Sequence, residues 1–96
     1  MNPSMIRKLK KMQEDMEKAQ RELESKEYFG KASGVEVIML GTRQVIDIKF
    51  DVEMAEEPEM LKDALLLAFN DAIAQVEKDQ QETMSQFTGG MGGLGF

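Results

Sequence analysis

Between Met5 and Leu23 the apolar residues fall at Met5, Leu9, Met12, Met16, Ala19 and Leu23, with gaps of 4, 3, 4, 3 and 4. That is the a/d seam of a heptad repeat, and it predicts an amphipathic helix with one narrow greasy stripe. Water cannot satisfy such a stripe; another helix can. The chain offers one further long helical pattern. The first helix therefore either finds its mate in a second copy or lies along its own domain while a second copy completes the interface.

Asn2-Pro3 is a good start for that helix, since Asn caps and Pro is tolerated at the first helical position. The helix is expected to run to about Glu24–Lys26, or roughly 36 Å at 1.5 Å per residue. Glu14–Lys18, Glu17–Arg21 and Glu22–Lys26 have the favourable acid-first order at i,i+4. The first turns differ. Arg7, Lys8, Lys10 and Lys11 precede any acid, Arg7–Lys11 is a like-charge pair, and Lys10–Glu14 and Lys11–Asp15 run in the poorer order. Each such effect is worth tenths of a kcal/mol, so this basic tip is not arranged for helix stability. The bland reading is a solvated helix face; the sharper one is a binding tip.

Charge outside the helix sharpens the contrast. The net charge is −6, from 12 Lys/Arg and 18 Asp/Glu; residues 1–26 hold seven and five of these, leaving five and thirteen for residues 27–96. A basic tip on an acidic body hints at a polyanionic partner.

After the helix, Tyr28 to Gly34 reads either as a short edge strand or as a loop. Val35–Leu40 is a strand, with Val35, Val37 and Met39 on one face and Ile38 and Leu40 on the other. Gly41-Thr42 makes a turn into Val45–Val52, where Ile46, Ile48, Phe50 and Val52 are expected to face the core while Asp47, Lys49 and Asp51 face water. A one-sided sheet needs a helix over it. Glu56-Glu57-Pro58-Glu59 opens that helix, with acids and a proline near its start. Leu61, Leu65, Ala68, Ala72 and Val76 form its stripe, widened by Phe69 and Ile73, and it is expected to end near Met84–Phe87. Because Ala64 to Phe69 is apolar all round, one face is assigned to the sheet and another to a twofold-related copy, with Leu65, Leu66, Phe69 and Ile73 as the dimer contact. The expected organisation is a heptad helix over 1–27, a sheet with its long helix over 28–87, and a flexible Gly-rich tail over 88–96. The 57 residues from Tyr28 to Met84 are few for a self-sufficient core, which again favours an oligomer.

Chemistry is sparse. With no Cys and no His there is no thiolate ligand or nucleophile and no imidazole base. Ser4, Ser25, Ser33 and Ser85 have no evident base beside them in sequence, and Asp47 and Asp51 on one strand face read as solubilising charges. Gly90, Gly92 and Gly95 spell a dinucleotide-type glycine pattern, but that pattern needs a strand before it and a helix after it. Of the nine methionines, Met12 and Met16 are seam residues. No enzyme activity, metal, cofactor or small-molecule substrate is expected. No apolar run approaches the roughly 20 residues of a membrane span, and the first residues lack a signal-peptide core; a soluble cytoplasmic protein is expected.

Four stretches together resemble the YbaB/EbfC nucleoid-associated DNA-binding proteins. They are Lys11–Glu27, similar to that family's K-M-Q-x-x-x-x-x-A-Q-x-x-L helix; the V-x-V…G…V-x-I-x-F hairpin from Val35 to Phe50; Ala68-Phe69-Asn70-Asp71-Ala72, similar to its A-x-N-D-A; and the Thr88-Gly89-Gly90 tail. They span nearly the whole chain in the family's order. The chain departs from the pattern where Gly34 alone leads into the hairpin and where Gly41-Thr42-Arg43 replaces the commoner Asn-Gly-Lys. The resemblance implies an α+β fold: an α-β-β-β-α subunit, homodimeric, with a small antiparallel sheet covered by a long helix and a protruding N-terminal helix. It also makes Tyr28–Ser33 a first strand and implies double-stranded DNA as partner in the nucleoid. Together with the basic tip, it nominates Arg7, Lys8, Lys10 and Lys11 as phosphate contacts. Lys18 and Arg21 follow as weaker ones, because Glu14 and Glu17 can neutralise them. The rival class is a protein-binding adaptor or chaperone-like dimer that uses the Met-rich helical surface.

Overall fold

The computed structural model describes residues 2–92. In chain order it has helix α1 (Pro3–Ser25), strands β1 (Glu27–Ala32), β2 (Val35–Leu40) and β3 (Val45–Phe50), a 3-10 turn (Val52–Glu56) and helix α2 (Pro58–Gly92). The strands form one antiparallel sheet in the order β1-β2-β3. The α+β class and the α-β-β-β-α order are those the sequence pattern and the resemblance led to.

Local chemistry sets the boundaries. Met5 N donates to Asn2 Oδ1 at 2.8 Å, the expected N-cap ahead of Pro3. The ambiguous stretch after α1 is a strand because Ser33 and Gly34 both take positive φ (36° and 82°), the two-residue hairpin that matches strand twist. The second hairpin closes through Arg43 N donating to Leu40 O and Leu40 N donating to Gln44 O, both at 2.8 Å, with Arg43 left-handed at φ 73°.

The core lies between α2 and the first two strands. Ala64, Ala68, Ala72 and Val76 meet Tyr28, Val35, Val37 and Met39. Leu61, Leu65, Phe69 and Ile73 pack at its margin. The small residues serve close approach: a Cβ on Gly30 would run into the Ala68 carbonyl and the Ala72 backbone. Replacing that glycine therefore means lifting the helix off the strand.

The expected inward face of β3 needs correction. The register pairs Val37 with Ile48 and Val35 with Phe50, which puts Ile48 and Phe50 on the helix side of the sheet. Yet α2 lies over β1 and β2, and Ile46, Ile48 and Phe50 are 44%, 39% and 45% exposed. A bulge between Ile38 and Met39 brings Val45, not Ile46, opposite Met39 and against the core. Val52 has left the sheet for the 3-10 turn and is exposed. Alternation read the face of Ile48 and Phe50 correctly, missed the bulge at Ile46 and the departure of Val52, and could not read how far the helix reaches.

The seam of α1 divides in two. Leu23 is buried, and Met16 and Ala19 are half-buried beside the stretch of α2 that holds Thr83 and Met84. Met5, Leu9 and Met12 stay exposed. Part of the mate is thus the chain's own second helix. The molecule is elongated, 67 × 26 × 12 Å. Helix α2 continues to Gly92, past the end expected near Met84–Phe87 and into the segment expected as a flexible tail. The rest of that segment, with Gly95, lies outside the described residues.

Candidate nucleic-acid interface

Arg7, Lys8, Lys10, Lys11, Lys18 and Arg21 are all exposed on α1. At about 100° per residue, Arg7, Lys10, Lys11, Lys18 and Arg21 fall within an arc of roughly 100°. That arc is opposite the Met5–Leu23 seam, and Lys8 stands to its side. Since the seam turns toward α2, Arg7, Lys10, Lys11 and Lys18 turn away from the body, while Arg21 lines a shallow hollow with Met84 of α2.

The expected acid-first pairs are not what the structure forms among the described residues. In α1 the pair present is Lys11–Asp15, at 3.6 Å and in the poorer order. Lys26 turns from Glu22 to Asp79 on α2, at 2.8 Å. Arg7, Lys8, Lys10, Lys18 and Arg21 are in no ion pair among the described residues. Lys18 and Arg21 are therefore not tied to Glu14 and Glu17, although those acids remain near on the same helix.

The arm is joined to the body at Lys26, the single extended residue between α1 and β1. On one side of it Leu23 is buried, and a Cβ on Gly41 would collide with the Leu23 carbonyl. On the other side Tyr28 is buried and its hydroxyl donates to Asp79 Oδ2 at 2.7 Å. The Lys26 ammonium donates to the same oxygen and stands 5.2 Å from the Tyr28 ring centre. The ammonium, and then the phenol, hold the Asp79 carboxyl below its usual range. Burial first, and then the hydrogen bond and charge of Asp79, push the Tyr28 phenol up to about 12.

Two further residues had no assigned role in the sequence. Asp71, in the Ala-Phe-Asn-Asp-Ala stretch, accepts from Lys31 N at 3.0 Å, and Gln75 Nε2 donates to Phe29 O at 2.7 Å and to Asp71 at 3.2 Å. They cover the outer edge of β1. Their signal was the i,i+4 spacing of polar residues beside the apolar stripe, which does not say what they touch.

The nominated dimer residues are not one uniform surface. Leu66 is 61% exposed, whereas Leu65, Phe69 and Ile73 are half-buried against the subunit's own core. Leu67, Ile48 and Phe50 are exposed apolar residues that were not nominated. Among the described residues no group of three or more acids is arranged to hold a metal ion. No helix there is long and apolar enough to cross a membrane.

The family model described as the YbaB/EbfC DNA-binding family matches residues 1–91. A nucleoid-associated protein of Enterococcus faecalis is 39% identical over 94 residues, covering 94% of this chain and 90% of that protein. One from Agathobacter rectalis is 37% identical, covering 94% and 83%, and one from Metamycoplasma arthritidis is 33% identical, covering 88% and 90%. The crystal structure of the uncharacterized protein HP0035 from Helicobacter pylori superposes with a TM-score of 0.74 at 20% identity, over 90% of this chain and 96% of that one; it shares the fold.

Proposed function

The chain belongs to the YbaB/EbfC DNA-binding family, and from that premise we propose that it is a nucleoid-associated, non-enzymatic protein that grips duplex DNA as a homodimer. The observation that carries this reading is the two-sided α1. One side packs toward the subunit, and the other bears five cations of which, among the described residues, Lys11 alone is ion-paired, on an otherwise acidic molecule.

Arg7, Lys8, Lys10 and Lys11 contact phosphates, with Lys18 and Arg21 extending the same stripe. Phosphate contacts fix position without reading sequence, so any preference comes from duplex shape and stiffness. What supports the dimer is apolar surface left exposed or half-buried: Ile48 and Phe50 on β3, and Leu66 on α2 with Leu65, Phe69 and Ile73 beside it. A monomer seldom leaves so much apolar surface in water, and a twofold copy would cover it while presenting two arms to one duplex.

Two tips with four cations each reach about eight phosphates, so log affinity should fall against log salt with a slope of about −7. Charge reversal at Lys8, Lys10 and Lys11 together should abolish a gel shift at moderate salt while leaving the dimer folded by sedimentation and circular dichroism. Unchanged binding by that variant would remove α1 from the mechanism. Pull-downs that survive nuclease treatment, with no salt-dependent DNA retention, would favour the adaptor class instead.

A further inference from the structure

We infer that Asp79, which lies outside the basic stripe, is a positioning residue for the DNA grip, because it locks the one-residue joint at which α1 leaves the body. The inference rests on the DNA-binding reading above.

With no loop between α1 and β1, the direction of the arm depends on what holds Lys26 on either side. One Asp79 carboxylate oxygen takes both the Lys26 ammonium at 2.8 Å and the Tyr28 hydroxyl at 2.7 Å. It thereby ties the joint, the first strand and the second helix at one point. The neighbouring backbone completes the fixture: Gly41 N donates to Lys26 O at 3.1 Å, and Gln80, one residue beyond Asp79, donates through Nε2 to Gly41 O at 3.4 Å. Asp79 is itself 26% exposed, so as an ion pair it is worth little. Its effect is on geometry. A rigid arm meets phosphates without first surrendering its freedom, whereas a loose arm gives up affinity to be ordered. Because Asp79 is held acidic and Tyr28 alkaline, the latch keeps one state across the neutral range.

The test exploits a conflict of sign. Removing an acid from an acidic molecule should by charge alone strengthen DNA binding. If Asp79 positions the arm, Asp79→Ala should instead weaken binding by about tenfold, through the ordering that the duplex must then impose. The slope against log salt should stay at the wild-type value, because the bound state makes the same phosphate contacts. Asp79→Asn, which keeps an acceptor for Tyr28, should fall between the two. The chain has no cysteine, so Ser4→Cys with Lys49→Cys, spin-labelled and diluted into unlabelled chains, reads the arm-to-body distance directly. Its distribution should be narrow with Asp79 and broad with Ala. Wild-type or stronger affinity in Asp79→Ala overturns the inference, as does an unchanged distance distribution, or a slope reduced as by charge reversal. Should the alanine variant fail to fold, the asparagine variant decides; unfolding of both makes Asp79 a stabiliser of the fold and overturns its positioning role. A wild-type chain that shows no salt-dependent DNA binding sinks the functional reading and this inference with it. A change in the distance distribution would then mark Asp79 as a mechanical latch alone.

Discussion

The two flanks of the sheet are built to opposite standards. At β1 a helix lies directly on the strand: Gly30 admits the backbone of α2, and Asp71 and Gln75 satisfy the outer edge of the strand. At β3 the helix does not arrive. Ile48 and Phe50 turn their side chains to the helix side but stay partly exposed, and Ile48 N is taken by its neighbour, Asp47 Oδ1, at 2.8 Å. The difference separates the flank the subunit completes by itself from the flank on which a second copy would settle. Uncovered strand edges are managed liabilities in stable proteins; here one is managed internally, and we propose that the other is managed by dimerisation.

The sharpest way to break this contrast is at the closed flank. Gly30→Val puts two methyl groups and a Cβ where Ala68 and Ala72 already are. Overpacking costs about 1–3 kcal/mol where side chains can yield; here the obstacle is helix backbone, so a loss of at least 3 kcal/mol is expected. That is a large fraction of the roughly 5–15 kcal/mol by which a domain is stable. Chemical denaturation should show no cooperative transition, or one shifted to far lower denaturant. A Gly30→Val chain with a wild-type midpoint would mean that α2 does not rest on β1. At the open flank the expected effect is of association rather than folding. Ile48→Asp with Phe50→Asp leaves the subunit's own core untouched but places charges where the copy would sit. Burial of unpaired polar groups at about 3 kcal/mol corresponds to a roughly hundredfold weaker dimer. Sedimentation at micromolar concentration should then find folded monomers; a persistent dimer would take β3 out of the interface and leave it to α2 alone, at Leu66 and Leu67.

The same contrast explains what could be read from the chain. Apolar period gives local elements well: the heptad from Met5 to Leu23, the alternation in β2 and the stripe of α2 all correspond to observed elements. Asn2 and the residue pattern around Pro58 fixed the helix starts. Three things were not legible. The first was the reach of α2 across the sheet, since alternation records which way Ile48 points and not whether anything covers it. The second was the bulge that substitutes Val45 for Ile46, because one skipped pair leaves no trace in composition. The third was long-range polar contact. Lys26 was paired with Glu22 by spacing, yet it crosses 53 positions to Asp79. The basic stripe was legible because helix spacing alone determines it. The joint that aims it was not, because it is assembled from α1, β1 and α2.

The smallest effect lies at the edge of β1 itself, and it tests whether that edge is closed by chemistry or merely by proximity. Asp71→Ala removes the acceptor for Lys31 N and one partner of Gln75. Both groups are near the surface, so water can replace much of what is lost, and the cost should be about 1 kcal/mol, the net worth of an ordinary hydrogen bond. Asp71→Asn retains an acceptor oxygen and should recover most of that amount. The local readout is sharper than the global one: hydrogen exchange at the Lys31 amide should accelerate in the alanine variant, while amides in the middle of β2 follow the change in global stability alone. Equal exchange at Lys31 in wild-type and Asp71→Ala chains would mean that the helix shields β1 by bulk, and that the polar pair above Gly30 contributes nothing to closing the flank.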